Sequence, residues 1–249
     1  PWLSWQTAAL VGGFVVFAVL FVVVEQRVPE PVVPMWVFTR RLLLSTTLLS
    51  LGVGALFLGL TSFVPTYLVA ALDAPPILAG LAVSMISIGW PLASANSGRI
   101  YLRWGFRAAA LTGTFLLLVG TSILALSVYS PSIPLVALGS IIVGGGLGFI
   151  AIPSLIAAQS SVAWGERGVV SGMNLFARSL GAALGVALLG ALANASLATA
   201  EAPESPGAIA DAAQTVFIAA IAIAIYIGAA ALLMPRTGAP DGAHDAPDS

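Results

Sequence analysis

Apolar residues in this chain occur in seven long continuous stretches, at 5–24, 42–71, 77–101, 107–128, 133–159, 168–194 and 214–234. Each approaches or exceeds the roughly 20 residues that a helix needs to cross the hydrocarbon of a bilayer. The stretches are apolar at nearly every position and do not alternate with a period of two, so they predict membrane helices and not barrel strands. The stretch at 42–71 is longer than a straight crossing requires, and a tilt or a break near Pro65 is expected to absorb the excess. Turn formers separate the stretches: Asp73-Ala74-Pro75-Pro76, Ser130-Pro131-Ser132-Ile133-Pro134 and Gly165-Glu166-Arg167-Gly168. Only 195–213 reads as a longer loop, and it is acidic, with Glu201, Glu204 and Asp211.

The predicted fold is therefore an all-α membrane protein with seven transmembrane helices. Residues 1–41 hold the first helix and its connection, 42–235 hold six further helices, and 236–249 form a disordered Gly-, Pro-, Ala- and Asp-rich tail.

Charge gives the chain a direction. All nine basic residues are Arg. Eight lie at alternate connections: Arg27, Arg40 and Arg41, then Arg99, Arg103 and Arg107, then Arg167, then Arg236. Loops that carry Arg stay cytoplasmic. Residues 25–41, 102–106, 160–167 and 235–249 are thus expected inside, and 1–4, 72–76, 129–132 and 195–213 outside. Trp2, Trp5, Trp36, Trp104 and Trp164 fall near the predicted interfaces, where an indole ring suits the headgroup zone. Trp90 does not. It sits mid-span, before Pro91.

Composition agrees: 59% of residues are hydrophobic and 8% charged, where soluble domains carry about 25% charged. The sequence has no Cys, and its one His, His244, is in the tail, so disulfides, thiolate metal sites, zinc chemistry and Cys- or His-based catalysis lack their raw material. No basic cluster suits nucleic acid, and no cofactor motif is present. Every acidic residue is assigned to a connection or the tail, which leaves no intramembrane carboxylate for a proton relay. The chain opens at Pro1 and enters its first crossing at once, which leads to the expectation of a further segment upstream.

Arg178 is the one intramembrane charge, at an insertion cost of about 2.5–3.5 kcal/mol. Two readings are open: a contact to an anionic substrate or to a carboxylate elsewhere in the protein, or a structural bond to backbone carbonyls with snorkelling toward the interface. Asn174, one turn earlier, extends a polar stripe. Gly181 and Gly185 form a small-xxx-small pair, followed by Gly190, and suit close helix packing. Trp90, Phe57, Phe149 and Tyr67 are candidates to line an apolar cavity, with ordinary helix packing as the competing use.

Between the third and fourth stretches the chain reads Gly98-Arg99-Ile100-Tyr101-Leu102-Arg103-Trp104-Gly105-Phe106-Arg107. This resembles the cytoplasmic signature of the major facilitator superfamily. Gly98, Arg103, Gly105 and Arg107 match; Leu102 and Phe106 replace an Asp and a basic residue, as in the second-half copy of that motif. The segments Val24–Pro31 and Phe38–Arg41, Pro75–Leu81, Gly168–Asn174 and Arg178–Gly181 are similar to the fourteen-helix drug:proton antiporter branch.

The resemblance implies a linker helix followed by the C-terminal six-helix bundle, with the N-terminal bundle of the same transporter as its partner in the lipid bilayer. It implies secondary active efflux of small drug-like or amphipathic substrates by alternating access in a bacterial inner membrane. Proton coupling would run through the other half, and the 98–107 loop would steady one end state. A non-transporting membrane scaffold or assembly subunit is the alternative function.

Overall fold

The computed structural model describes residues 5–25, 27 and 36–236, and these form eight α-helices. They are α1 (Trp5–Glu25), α2 (Trp36–Thr39), α3 (Arg41–Leu72), α4 (Pro76–Trp104), α5 (Phe106–Leu126), α6 (Ile133–Ser160), α7 (Arg167–Ala198) and α8 (Pro206–Leu233). A 3₁₀ turn, Trp164–Glu166, leads into α7. Among the described residues six helices, α3 to α8, are long and apolar enough to cross a membrane. The first predicted crossing is α1, a continuous helix of 21 residues. Positions 1–4, 26, 28–35 and 237–249, including His244 and nearly all of the predicted tail, lie outside the described residues.

Local chemistry sets the helix ends. After α3, Asp73 takes a left-handed conformation (φ 51°), and the Ala74 N–H closes the helix on the Leu68 carbonyl at 3.1 Å. Pro76 opens α4 in the first turn, where its missing N–H costs nothing. Between α4 and α5 there is one residue, Gly105 (φ 83°), a conformation that disfavours a side chain.

One expectation is narrowed, one is corrected, and one segment gains detail. First, α3 runs unbroken through Pro65, as does α6 through Pro153. At 1.5 Å per residue α3 is about 48 Å long, so tilt and protruding ends take up the excess over the bilayer core. Second, the loop expected to be external is 199–205, not 195–213. Ser205 accepts a bond from the Ala208 N–H at 3.2 Å and Pro206 supplies the first helical position, so α8 starts earlier than hydropathy suggested. Asp211 consequently lies within α8, exposed near its outer end, and not in a loop. Third, the connection before α3 contains the short helix α2. Val37 of α2 is buried with Leu43, Ala158, Val170 and Met173, which ties that connection to α3, α6 and α7.

Polar contacts fix which ends share a side. The Arg41 Nε donates to the Leu233 carbonyl at 2.8 Å, pairing the start of α3 with the end of α8. The Gln159 amide donates to Ser171 Oγ, pairing the end of α6 with the start of α7. At the opposite end the Tyr67 hydroxyl donates to the Ser127 carbonyl at 3.0 Å, and Gln214 donates to the Tyr129 hydroxyl.

The six spans pack as two groups of three. The pairs α4 with α6 and α3 with α7 are among the most extensive. Exchanging α3 with α6, α4 with α7 and α5 with α8 leaves the set of packed pairs unchanged. This is the packing signature of an internal three-helix repeat, and the sequence itself shows only weak trace of it. Glycines make both tight crossings possible. A Cβ on Gly181 would collide with the Leu51 carbonyl and one on Gly54 with the Arg178 carbonyl, at α3–α7. Gly89 against the Ile141 carbonyl and Gly144 against the Ile86 carbonyl do the same at α4–α6.

Candidate functional site

The core and the open surface are unevenly shared among the spans. In α3, 61% of the apolar window is buried; in α4 and α7 the figure is 22%. Both of the open helices flank α3, and the three together enclose a groove.

That groove has a volume of about 540 Å³. Gly54, Phe57 and Leu58 of α3 line it, with Ser87, Trp90 and Pro91 of α4 and Leu175, Arg178, Ser179 and Ala182 of α7. Phe57 and Trp90 meet edge to face, with ring centroids 5.3 Å apart at 80°. The Trp90 backbone is seated on Gly148 of α6. No described residue accepts a hydrogen bond from its indole N–H, which leaves a donor beside the groove.

A second, smaller cavity of about 260 Å³ lies between α3, α6 and α7. Its polar lining is Ser50, Ser154, Ser171, Asn174 and Arg178; Val53, Ile150 and Leu155 are among its apolar walls. Leu175 and Arg178 belong to both cavities, so they stand at the junction. Asn174 is buried at 6% exposure. Its Oδ1 accepts from Ser50 Oγ at 2.6 Å and its Nδ2 donates to the Val170 carbonyl at 3.0 Å, which bridges α3 to α7. Arg178 is exposed, and no described residue offers it an ion pair or a hydrogen bond. The reading of Arg178 as a bond to backbone carbonyls therefore finds no partner here.

The sequence candidates thus divide. Phe57, Trp90 and Arg178 share the larger groove, and Asn174 and Arg178 share the smaller cavity. Phe149 lines neither and is half-buried on α6. Tyr67 is elsewhere, packed edge to face on Phe217 beside a third cavity near the Tyr67 end of α3, where α7 and α8 adjoin it. Sequence reasoning missed Ser50, Ser87, Ser154, Ser171 and Ser179. A single Ser in a membrane helix gives no signal, because its hydroxyl ordinarily bonds its own helix.

The signature loop reads differently in three dimensions. Gly105 is the turn, with its N–H on the Tyr101 carbonyl at 3.0 Å. The Tyr101 and Phe106 rings stack across it at 5.1 Å. Gly98 is inside α4, where an added Cβ would touch only the Tyr101 ring at 3.8 Å. Arg103 lies over Trp104, Arg99 donates to Asn96, and Arg107 is half-buried. A helix C-terminal carbonyl is held by Arg41, on Leu233. Arg40 over Trp36 and Arg167 over Trp164 repeat the Arg–Trp pairing at two more connections predicted to face the cytoplasm. Of the packing glycines, Gly181 and Gly185 sit against the α3 backbone, whereas a Cβ on Gly190 would make ordinary contact with Phe63 at 3.5 Å.

A bundle of apolar helices related by a three-helix exchange, with one polar-studded groove, defines a multi-pass membrane protein. The family model of the Major Facilitator Superfamily matches residues 1–186. The chain belongs to that superfamily of membrane transporters. It is 29% identical to the multidrug transporter protein MdtP of Bacillus subtilis over 200 residues, which is 78% of this chain and 36% of that protein. It is 32% identical to the drug efflux pump JefA of Mycobacterium tuberculosis over 193 residues, covering 78% of this chain and 38% of the pump. Identity to the puromycin resistance protein pur8 of Streptomyces alboniger is 31% over 225 residues, covering 86% and 44%. The chain thus spans well under half the length of these curated relatives.

Proposed function

We propose that this chain is the C-terminal part of a secondary transporter that exports drug-like or amphipathic compounds across a bacterial inner membrane. The six spans α3 to α8 form one bundle, and α1 is a linker helix. An N-terminal bundle completes the transporter, and the two rock about a midplane site in alternating access. The observation that carries this reading is the groove between α3, α4 and α7. It is the place where an aromatic pair, an indole donor and an unpaired guanidinium share one open face. The printed names of the relatives, multidrug transporter and drug efflux pump, agree with a wall of this chemistry.

Proton coupling is assigned to the other bundle. Asp211 is the one described carboxylate inside spans α3 to α8, and it sits at the outer end of α8, away from the residues that line the groove. The test is flux in proteoliposomes, first with this chain alone and then with the N-terminal bundle added. Substrate-dependent, proton-gradient-driven flux is expected only with both. Flux from this chain alone would overturn the division of labour. No flux from the reconstituted pair, with both parts folded, would overturn the transport assignment.

A further inference from the structure

The smaller cavity has a composition that the export reading does not require. Ser154 is 1% exposed, and its Oγ has no hydrogen-bond partner. Many hydroxyls elsewhere in the bundle turn back on their own helix: Thr46 to Leu43, Thr121 to Leu117, Ser160 to Ala157. Ser154 forgoes that bond and lines the cavity instead. Thr47 and Ser140 also lack partners, but they line neither cavity.

Free donors remain in the cavity beside the hydroxyl lone pairs. The Asn174 carbonyl oxygen is taken by Ser50, and one of its two amide N–H groups by Val170. One Asn174 N–H is left over, with the Ser154 O–H and the guanidinium fork of Arg178. Among the described residues no Asp or Glu lines the cavity. A positive charge in an apolar slab, surrounded by spare donors and no acceptor of opposite charge, calls for an anion.

Size narrows the class. About 260 Å³ is below the usual range for a whole drug-sized ligand, roughly 300–1,000 Å³, and suits a head group. The adjoining aromatic groove of about 540 Å³ shares Leu175 and Arg178 with it and takes an apolar remainder. The planar fork of Arg matches a carboxylate in two parallel bonds.

We propose that Ser154, Asn174 and Arg178 form a carboxylate-binding site, and that the ligand of this face is an amphipathic carboxylate whose tail lies against Phe57 and Trp90. This deepens the reading of the face as a substrate wall and rests on it.

The test is direct binding to this chain in phosphatidylcholine nanodiscs at pH 7, with 4-phenylbutyrate and its neutral isostere 4-phenylbutanamide as probes. Phenylbutyrate is expected to bind about tenfold or more tightly than the amide, as charge-assisted bonds imply. Ser154→Ala should weaken phenylbutyrate binding about three- to tenfold and leave the amide unchanged. Arg178→Gln should abolish the preference, and Arg178→Lys should retain part of it. Helical content and melting midpoint by circular dichroism certify that each variant is folded. Equal affinity of the native chain for acid and amide would overturn the proposal. So would a preference that survives both Ser154→Ala and Arg178→Gln, or displacement of phenylbutyrate by equimolar chloride. If both probes bind equally and Trp90→Ala removes both, the groove stands and the carboxylate site alone falls.

Discussion

The backbone carbonyl of Arg178 occupies the place where a side chain on Gly54 would begin. The same α3–α7 crossing sets the Leu51 carbonyl against Gly181 and the Ala55 backbone against Gly185. The charged residue of the groove is thus positioned by a glycine on the facing helix. Backbone cannot move aside as a flexible side chain can. Gly181→Ala and Gly54→Ala are expected to destabilise the bundle by about 1–3 kcal/mol, the usual range for overpacking. Gly190→Ala, which meets only Phe63, should be neutral or slightly stabilising. Thermal unfolding in detergent, followed by circular dichroism, separates the two classes. Equal midpoints for Gly181→Ala and Gly190→Ala would contradict the crossing.

Arg178 has no protein partner among the described residues, so its removal should not harm the fold. Arg178→Ala is expected to insert more readily, by up to about 2.5–3.5 kcal/mol, since a mid-span guanidinium opposes insertion. A translocon-based glycosylation assay of the α7 segment reads this directly. Transport by the two-bundle protein should fall at the same time. A variant that transports at the native rate would remove Arg178 from the substrate wall.

Orientation is testable with few changes, because the chain has no Cys. Asp73→Cys and Arg103→Cys lie at opposite ends of α4. A membrane-impermeant maleimide should label position 73 in intact cells and position 103 only after permeabilisation. Labelling of both from one side would overturn the assignment of arginine-bearing ends to the cytoplasm.

The Tyr67 hydroxyl ties α3 to α5 through the Ser127 carbonyl, inside a buried cluster. Tyr67→Phe keeps the ring packing on Phe217 and loses only that bond. The expected cost is about 1 kcal/mol, seen as a lower unfolding midpoint with no change in binding at the α3–α4–α7 groove. A loss of groove binding would mean that Tyr67 acts beyond its own end of the bundle.

Much of the architecture is legible in hydropathy alone. Six of the seven apolar stretches coincide with α3 to α8, because lipid leaves a backbone no option but internal hydrogen bonding. The end of α7 and the start of α8 were misplaced for a local reason. Asp211 and Gln214 lower hydropathy, while Ser205 and Pro206 already satisfy the requirements of a helix start. Arg178 was conspicuous in the sequence because charge is rare in a span. Ser154 was not, since its meaning depends on a bond it fails to make. Phe149 and Phe57 look alike along the chain. Only packing separates the one that faces the groove from the one that does not.

Gly105 leaves almost no slack between α4 and α5. Trp104 ends one rod and Phe106 starts the next, with Tyr101 stacked on Phe106 across the joint. A connector of one residue cannot stretch, so a displacement of the inner end of α4 must be matched by α5 or absorbed by rotation at Gly105. Trp90 rides on α4, and α5 is seated along α6 and α8. The joint therefore tethers the helix that carries Trp90 to the helix packed on the far side of the bundle.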